Sequence, residues 1–238
     1  MTVLLLAGTG EARGLAPRLA GRAIASLAGA TRTPADLELP TRVGGFGGVA
    51  GLCAYIAETG ITRIIDATHP FAAQMTDHAA QAARATGTPL LILRRPGWRA
   101  GPGDRWHWVD DLGRVGALTG PDATLFLATG RQSLAAFSAL PNQLWCRVID
   151  PPGGPFPGRG GWIEGRPPFS VADEIALFQR LGIDWLVTKN SGGEAPVSKL
   201  VAARDLGLPV VIQRRPPLPP GITRVRTPEE ALAWLDPA

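Results

Sequence analysis

Lysine is scarce in this chain of 238 residues: of 24 basic side chains only Lys189 and Lys199 are lysines, leaving 22 arginines (24 less 2). Cysteine is scarcer than a disulfide framework or a zinc site requires. Cys53 and Cys146 lie far apart, without Cys-x-x-Cys spacing and without clustering near His69, His78 or His107, so no metal is expected and both thiols read as small core residues. No apolar run approaches the roughly 18 residues of a membrane span. The apolar opening from Thr2 to Ala7 is too short for a signal peptide and lacks a basic start, so it reads as a buried first strand of a cytoplasmic protein. With a single tyrosine, Tyr55, with scattered arginines and with tryptophans that do not alternate with basic residues, there is no nucleic-acid-binding pattern.

What remains is the composition of a soluble enzyme, 45% hydrophobic and 18% charged, long enough for two domains or one large α/β unit. The net charge of +4 and pI near 9.8 favour an anionic partner. Both lysines fall within Thr188-Lys189-Asn190-Ser191-Gly192-Gly193-Glu194-Ala195-Pro196-Val197-Ser198-Lys199. A lysine can lose its proton when buried and a guanidinium cannot, so the segment reads as a site where lysine is chemically required; chance placement is the competing reading.

Short apolar runs alternate with alanine-rich segments of helical period, the pattern of βα units around a parallel sheet. Strands are expected at Val3–Leu6, Ile24–Ala28, Arg63–Asp66, Leu90–Leu93, Thr124–Ala128, Leu144–Val148, Trp185–Thr188 and Val210–Ile212. Helices are expected at Glu11–Arg22, Val49–Thr59, Phe71–Thr86, Ser133–Leu140, Val171–Leu181, Ser198–Leu206 and Pro228–Leu235. Turn formers from Arg94 to Gly103 suggest a boundary, giving domains 1–100 and 101–238, with the last helix able to pack back on the first. The Gly- and Pro-rich stretch from Asp150 to Pro168 is expected to be one long loop.

Four segments carry anion-binding chemistry after expected strands. Gly8-Thr9-Gly10-Glu11-Ala12-Arg13-Gly14 opens the first helix as a phosphate-binding turn would, although a plain strand-to-helix turn fits as well. The second strand leads to Arg32 with no acid before Asp36, which favours NADP over NAD if this domain binds a dinucleotide. Asp66-Ala67-Thr68-His69-Pro70-Phe71 follows the next strand, with Pro70 suited to a first helical position; a mere helix cap is the alternative. His78 and His107 read as structural. Thr129-Gly130-Arg131-Gln132-Ser133 repeats the design as a phosphate or carboxylate clamp, and the lysine segment repeats it again. Four such loops at carboxyl ends of strands point to one binding region.

Taken together, these residues resemble the precorrin-6A reductase family of cobalamin biosynthesis. The resemblance rests on Gly8-Thr9-x-Glu11-Ala12, Gly44-Gly45-Phe46-Gly47, Asp66-Ala67-Thr68-His69-Pro70-Phe71-Ala72, Arg95-Pro96-x-Trp98, Thr129-Gly130-Arg131 and Thr188-Lys189-Asn190-Ser191-Gly192 with Lys199. It implies an α/β protein of two Rossmann-like domains with parallel sheets and an intervening active-site cleft. It also implies hydride transfer from a nicotinamide cofactor to one double bond of a polycarboxylate tetrapyrrole, a substrate the arginine excess suits. The metal-free ring, with NADPH, is preferred because of Arg32; the cobalt-bearing ring with NADH is the alternative.

The expected assignments follow from both readings. Lys189, His69 and Asp66 are candidate proton donors. Gly8, Thr9, Gly10, Glu11, Arg32, Thr129, Gly130, Arg131 and Ser133 are assigned to the cofactor, and Thr68, Phe71, Asn190, Ser191, Gly192 and Lys199 to the substrate. Transient contact with neighbouring pathway enzymes is compatible with this role, and neither a membrane nor nucleic acid is an expected partner. A non-catalytic nucleotide or sugar-phosphate sensor is the rival from another class, and an arginine-rich nucleic-acid binder, whose affinity would fall steeply with salt, is the second.

Overall fold

The structure, a computed structural model, describes residues 1–29 and 36–236. The chain forms two compact units, one built from residues 1–96 with the returning segment 216–238, the other from residues 97–215.

In the first unit the chain runs β1 (Val3–Leu6), α1 (Gly10–Leu15) with a 3-10 turn (Ala16–Leu19), β2 (Ala23–Leu27), β3 (Thr41–Val43), α2 (Gly48–Thr59), β4 (Arg63–Asp66), α3 (Ala73–Thr86) and β5 (Leu90–Leu93). The second unit holds β6 (Arg105–Val109), α4 (Val115–Thr119), β7 (Thr124–Ala128), a 3-10 helix (Arg131–Phe137), β8 (Gln143–Val148), β9 (Gly160–Glu164), α5 (Val171–Leu181), β10 (Trp185–Lys189), α6 (Ser198–Asp205) and β11 (Pro209–Gln213). The chain then returns to the first unit with β12 (Thr223–Val225) and α7 (Pro228–Leu235).

The first sheet has the order β12-β5-β4-β1-β2-β3 and the second β6-β11-β10-β7-β8-β9, each six-stranded, with the paired strands parallel throughout. The central strands are continuous apolar runs because helices cover both faces. β1 and β5 are buried at every residue, and alternate residues feed opposite clusters. Val3 and Leu5 join Leu15 and Leu91, while Leu4 and Leu6 join Leu52 and Ile64. In the second unit Leu125 and Leu127 pack with Phe137, and Phe126 packs with Phe178 and Leu200. Helix ends follow local chemistry: Ser170 and Asp173 form a reciprocal capping box on α5, and Gly182 ends it at φ 59°, a left-handed position glycine occupies without penalty.

Four expectations change. The first helix turns 3-10 from Ala16, where Pro17 follows. Pro70 does not start a helix; the Phe71 N–H donates to His69 Nδ1 at 3.3 Å and the Ala72 N–H to the His69 carbonyl at 2.7 Å, so a turn intervenes and α3 begins at Ala73. The segment after Gly130 is a 3-10 helix rather than an α-helix. It is confined between Gly130 and Pro141, and the Ser133 hydroxyl bonds back to the Thr129 carbonyl at 3.2 Å, a competitor to regular helix. The stretch from Asp150 to Pro168 is not all loop but contains β9, and its glycine serves close strand packing: a Cβ on Gly160 would lie 1.8 Å from the Leu144 carbonyl oxygen. Among the described residues no helix is long and apolar enough to cross a membrane.

Candidate active site

Open parallel sheets bind ligands beyond the carboxyl ends of their strands, where the strand order reverses. In the first sheet that point lies between β1 and β4, which pair from Val3–Arg63 to Leu6–Asp66. It therefore brings together the Gly8–Glu11 turn and the Asp66–Phe71 segment. Thr9, buried at the start of α1, accepts from the Ala12 N–H at 3.3 Å and donates to the Ala67 carbonyl at 2.8 Å, tying the two loops to each other. Gly8 has φ 144°, and nothing would lie within 4 Å of a Cβ there, so the backbone is open at that position. Gly10 is exposed at the start of α1. Glu11 pairs with Arg95 at 2.5 Å, with side-chain exposures of 20% and 14%.

Asp66 is 2% exposed. Its Oδ1 accepts from the Thr68 N–H at 3.0 Å and the Thr68 hydroxyl at 2.6 Å, and its Oδ2 accepts from the Thr76 hydroxyl at 2.6 Å. Burial pulls the Arg94 guanidinium below its ordinary range, against the opposing pull of Asp66. His69 and Phe71 are half-buried, with ring centroids 5.9 Å apart. Arg32 lies outside the described residues.

The second sheet reverses between β7 and β10, which pair from Leu125–Trp185 to Ala128–Thr188. There the Thr129–Ser133 segment meets the lysine segment. Thr129 is 6% exposed, and its hydroxyl has no hydrogen-bond partner among the described residues. Gly130 has φ 78° with open space around a notional Cβ, and Arg131 beside it is exposed. Burial pushes the Lys189 ammonium below its ordinary value of 10.5.

The rest of the lysine segment is folded around Trp98. Asn190 accepts from the Trp98 N–H at 2.8 Å and donates to its carbonyl at 3.2 Å. The Trp98 indole donates to the Gly193 carbonyl at 2.9 Å, and Lys199 sits 5.0 Å from the Trp98 ring centroid while donating to the Pro196 carbonyl. Gly192 and Gly193 take φ of 66° and 82°, which is why this turn needs glycine. Ser191 is buried beside Gly192, its N–H donating to the Lys189 carbonyl at 2.7 Å. Among the described residues no cluster of His, Cys, Asp and Glu is placed to hold a metal ion.

The family model described as Precorrin-6x reductase CbiJ/CobK matches residues 2–236. The chain belongs to the precorrin-6x reductase family. A precorrin-6A reductase of Rhodococcus erythropolis is 47% identical over 241 residues, covering 98% of this chain and 96% of the relative. A cobalt-precorrin-6A reductase of Methanothermobacter thermautotrophicus is 30% identical over 244 residues, with 91% and 77% covered. The solved structure of a CobK precorrin-6A reductase superposes with a TM-score of 0.93 at 44% identity, covering 99% of this chain and 96% of that one.

Within this reductase family member, sequence reading passes over several groups that shape the site. Trp98 stands in the family pattern without a role, yet it templates the lysine segment. Arg215 donates from Nε to the Asn190 carbonyl at 2.7 Å. Arg147 on β8 makes a bidentate pair with Glu174 on α5 at 2.6 and 2.7 Å, with exposures of 12% and 1%. The Ser198 hydroxyl, at the start of α6, reaches Glu174 at 3.5 Å. One signal for this pair is legible: Glu174 lies one turn before Phe178 on the buried face of α5, where an unpaired acid would be costly.

Proposed function

We propose that this protein reduces one double bond of metal-free precorrin-6A to the dihydro product, precorrin-6B, in cobalamin biosynthesis, with NADPH as the reductant. The observation that carries the reading is the switch point of the second sheet, where a buried, unpartnered Thr129 hydroxyl and the open backbone at Gly130 meet a desolvated Lys189. Family membership supports a reductase, and the higher identity to the Rhodococcus precorrin-6A reductase than to the Methanothermobacter cobalt-precorrin enzyme supports the metal-free ring. Arg32 favours the 2′-phosphate of NADPH over the bare ribose of NADH.

The residues fit a nicotinamide dinucleotide in two respects. The backbone at Gly8 and at Gly130 has room for a phosphate to approach, and the Thr129 hydroxyl has bonding capacity to spare. In this reading Gly8, Thr9 and Gly10 in the first unit and Thr129, Gly130, Arg131 and Ser133 in the second contact the cofactor, with Arg32 taking the 2′-phosphate. Glu11, already paired with Arg95, shapes the turn through that pair. When bound, the cofactor supplies the hydride.

The protein's part is orientation and charge. Thr68, Phe71, Ser191 and Gly192 face the macrocycle, and Asn190 and Lys199 hold the loop that presents Ser191 and Lys189. Lys189 is a proton donor for the carbon next to the reduced one, since burial eases loss of its proton, and His69 is the second donor. Alignment of two planar reactants alone contributes several orders of magnitude in rate.

Anaerobic incubation with metal-free precorrin-6A and either NADPH or NADH, following cofactor absorbance and product mass, tests this. Gain of two hydrogens with NADPH is the expected result. Turnover confined to the cobalt-bearing ring with NADH would overturn the substrate and cofactor choice, and NADPH binding without turnover of either ring would favour the sensor.

A further inference from the structure

Asp66 carries an acidic side chain at the carboxyl end of a central strand, the position where a proton donor is expected, but its surroundings are those of a brace. It is 2% exposed. Three donors meet its two oxygens: the Thr68 N–H and hydroxyl on Oδ1, and the Thr76 hydroxyl on Oδ2. Thr76 belongs to α3 and is itself buried at 7% exposure. The carboxylate therefore fastens the strand end, the loop after it and the first turn of the following helix to one another. Inside that loop the Phe71 N–H donates to His69 Nδ1 at 3.3 Å. A neutral imidazole holds one hydrogen, and the nitrogen that accepts a hydrogen bond cannot carry it.

We propose that Asp66 is a positioning residue for His69. With Thr76 as its partner, it holds the Thr68–Phe71 turn so that Nδ1 is the acceptor of a backbone hydrogen bond and Nε2 is the nitrogen bearing hydrogen. Asp66 acts through His69, and its side chain transfers no proton. The catalytic meaning of this device rests on the reading of His69 as a donor in the reductase; the tautomer does not. Thr76 separates the two roles, because a threonine on α3 has no acid to offer and matters only if the brace matters.

The test has a spectroscopic arm and a kinetic arm. Long-range proton–nitrogen correlation of the 15N-histidine-labelled full chain in alkaline buffer reports the tautomer; the chain has three histidines, and His69→Gln identifies the relevant signals. The expected spectrum shows the Nε2–H form for His69. Thr76→Val and Asp66→Asn each convert it to a mixture with Nδ1–H, and Thr76→Ser restores it. In turnover with precorrin-6A, Thr76→Val and Asp66→Asn lower kcat to a similar degree, on the order of tenfold or more, and Thr76→Ser recovers it. A wild-type Nδ1–H form overturns the proposal, as does an unchanged tautomer in a folded Thr76→Val protein. An Asp66→Asn loss on the order of a hundredfold beyond that of Thr76→Val would make Asp66 the acid itself. If the wild type turns over no precorrin, the functional reading fails while the tautomer still decides the positioning role. A wild-type Nδ1–H form overturns it even where a variant does not fold.

Discussion

The two units share one strand order and complete it with strands from opposite directions along the chain. Read from the outer strand inward, the first sheet runs β3-β2-β1-β4-β5 and then β12, and the second runs β9-β8-β7-β10-β11 and then β6. The strand that follows β5 in sequence is β6, which pairs with β11; the strand that follows β11 is β12, which pairs with β5. Each sheet's sixth position is thus filled by the strand that chain order would hand to the other. A parallel edge needs only a short strand of the right direction, and both sheets accept one regardless of where it arises.

The units differ at their switch points. In the first, the threonine after the central strand spends its hydroxyl on a cap and on the neighbouring loop, and Asp66 is fully engaged. In the second, Thr129 leaves a buried hydroxyl without a partner among the described residues, Lys189 is desolvated, and a buried ion pair braces β8 against α5. An unsatisfied buried polar group costs about 1–3 kcal/mol, so the second unit retains polar groups at a cost that the described residues of the first do not carry.

The contrast breaks most severely at the buried pair. Arg147→Met strands the Glu174 carboxylate and is expected to lower the stability of the second unit by about 3–5 kcal/mol in urea unfolding. Arg22→Met, which removes the surface partner of Asp236 in the first unit, leaves the unfolding midpoint unchanged. Equal effects from the two substitutions would mean that burial is not what separates the units.

One glycine in each unit gives the next effect. Gly51→Ala places a Cβ 1.7 Å from the Phe46 carbonyl oxygen, and Gly160→Ala places one 1.8 Å from that of Leu144. Each is expected to cost about 1–3 kcal/mol. Gly160→Ala should be the worse because its φ of 127° adds backbone strain, and a ranking of the two by thermal unfolding checks this.

Lys189→Met sharpens the functional side. Because burial lowers the folded-state pKa of Lys189 below 10.5, the unfolded chain binds the extra proton between the folded value and 10.5, and stability from this group rises as pH climbs through that window. Lys189→Met should remove that rise and stabilise the second unit at neutral pH, while weakening binding of a polycarboxylate ring by about tenfold, one lost charge contact. Urea titrations at neutral and alkaline pH, with binding measured alongside, test both signs.

The smallest effect is chemical. Cys146 is buried, and burial pushes its thiol up to about 11, so it should label with a thiol reagent only as the second unit opens. Half-buried Cys53 on α2 should react earlier, at the rate at which the first unit exposes it. Mass spectrometry of partly labelled protein separates the two rates.

β1, β5 and the run 125–128 of β7 were legible because a strand covered on both faces is an unbroken apolar run. β3, β9 and β12 were not, since they are short outer strands without a fully buried residue, and the glycines and prolines around β9 read as loop. The site divides in the same way. Residue types and strand-end positions marked Thr9, Asp66, Thr129 and Lys189, whereas their roles depend on partners distant in sequence. Thr9 reaches Ala67, 58 residues on. Asn190 grips Trp98, 92 residues back.

By itself the sequence determined the repeated βα pattern, the parallel sheets and the four strand-end segments with the chemistry of the family, because those follow from local periodicity and from residue types at strand ends. Only the tertiary structure decided which strand closes each sheet, which hydroxyls and carboxylates are spent internally and how deeply the two lysines are buried. Hydrogen bonding and burial are set by whichever groups the fold brings within about 3 Å, and sequence separation places no limit on that.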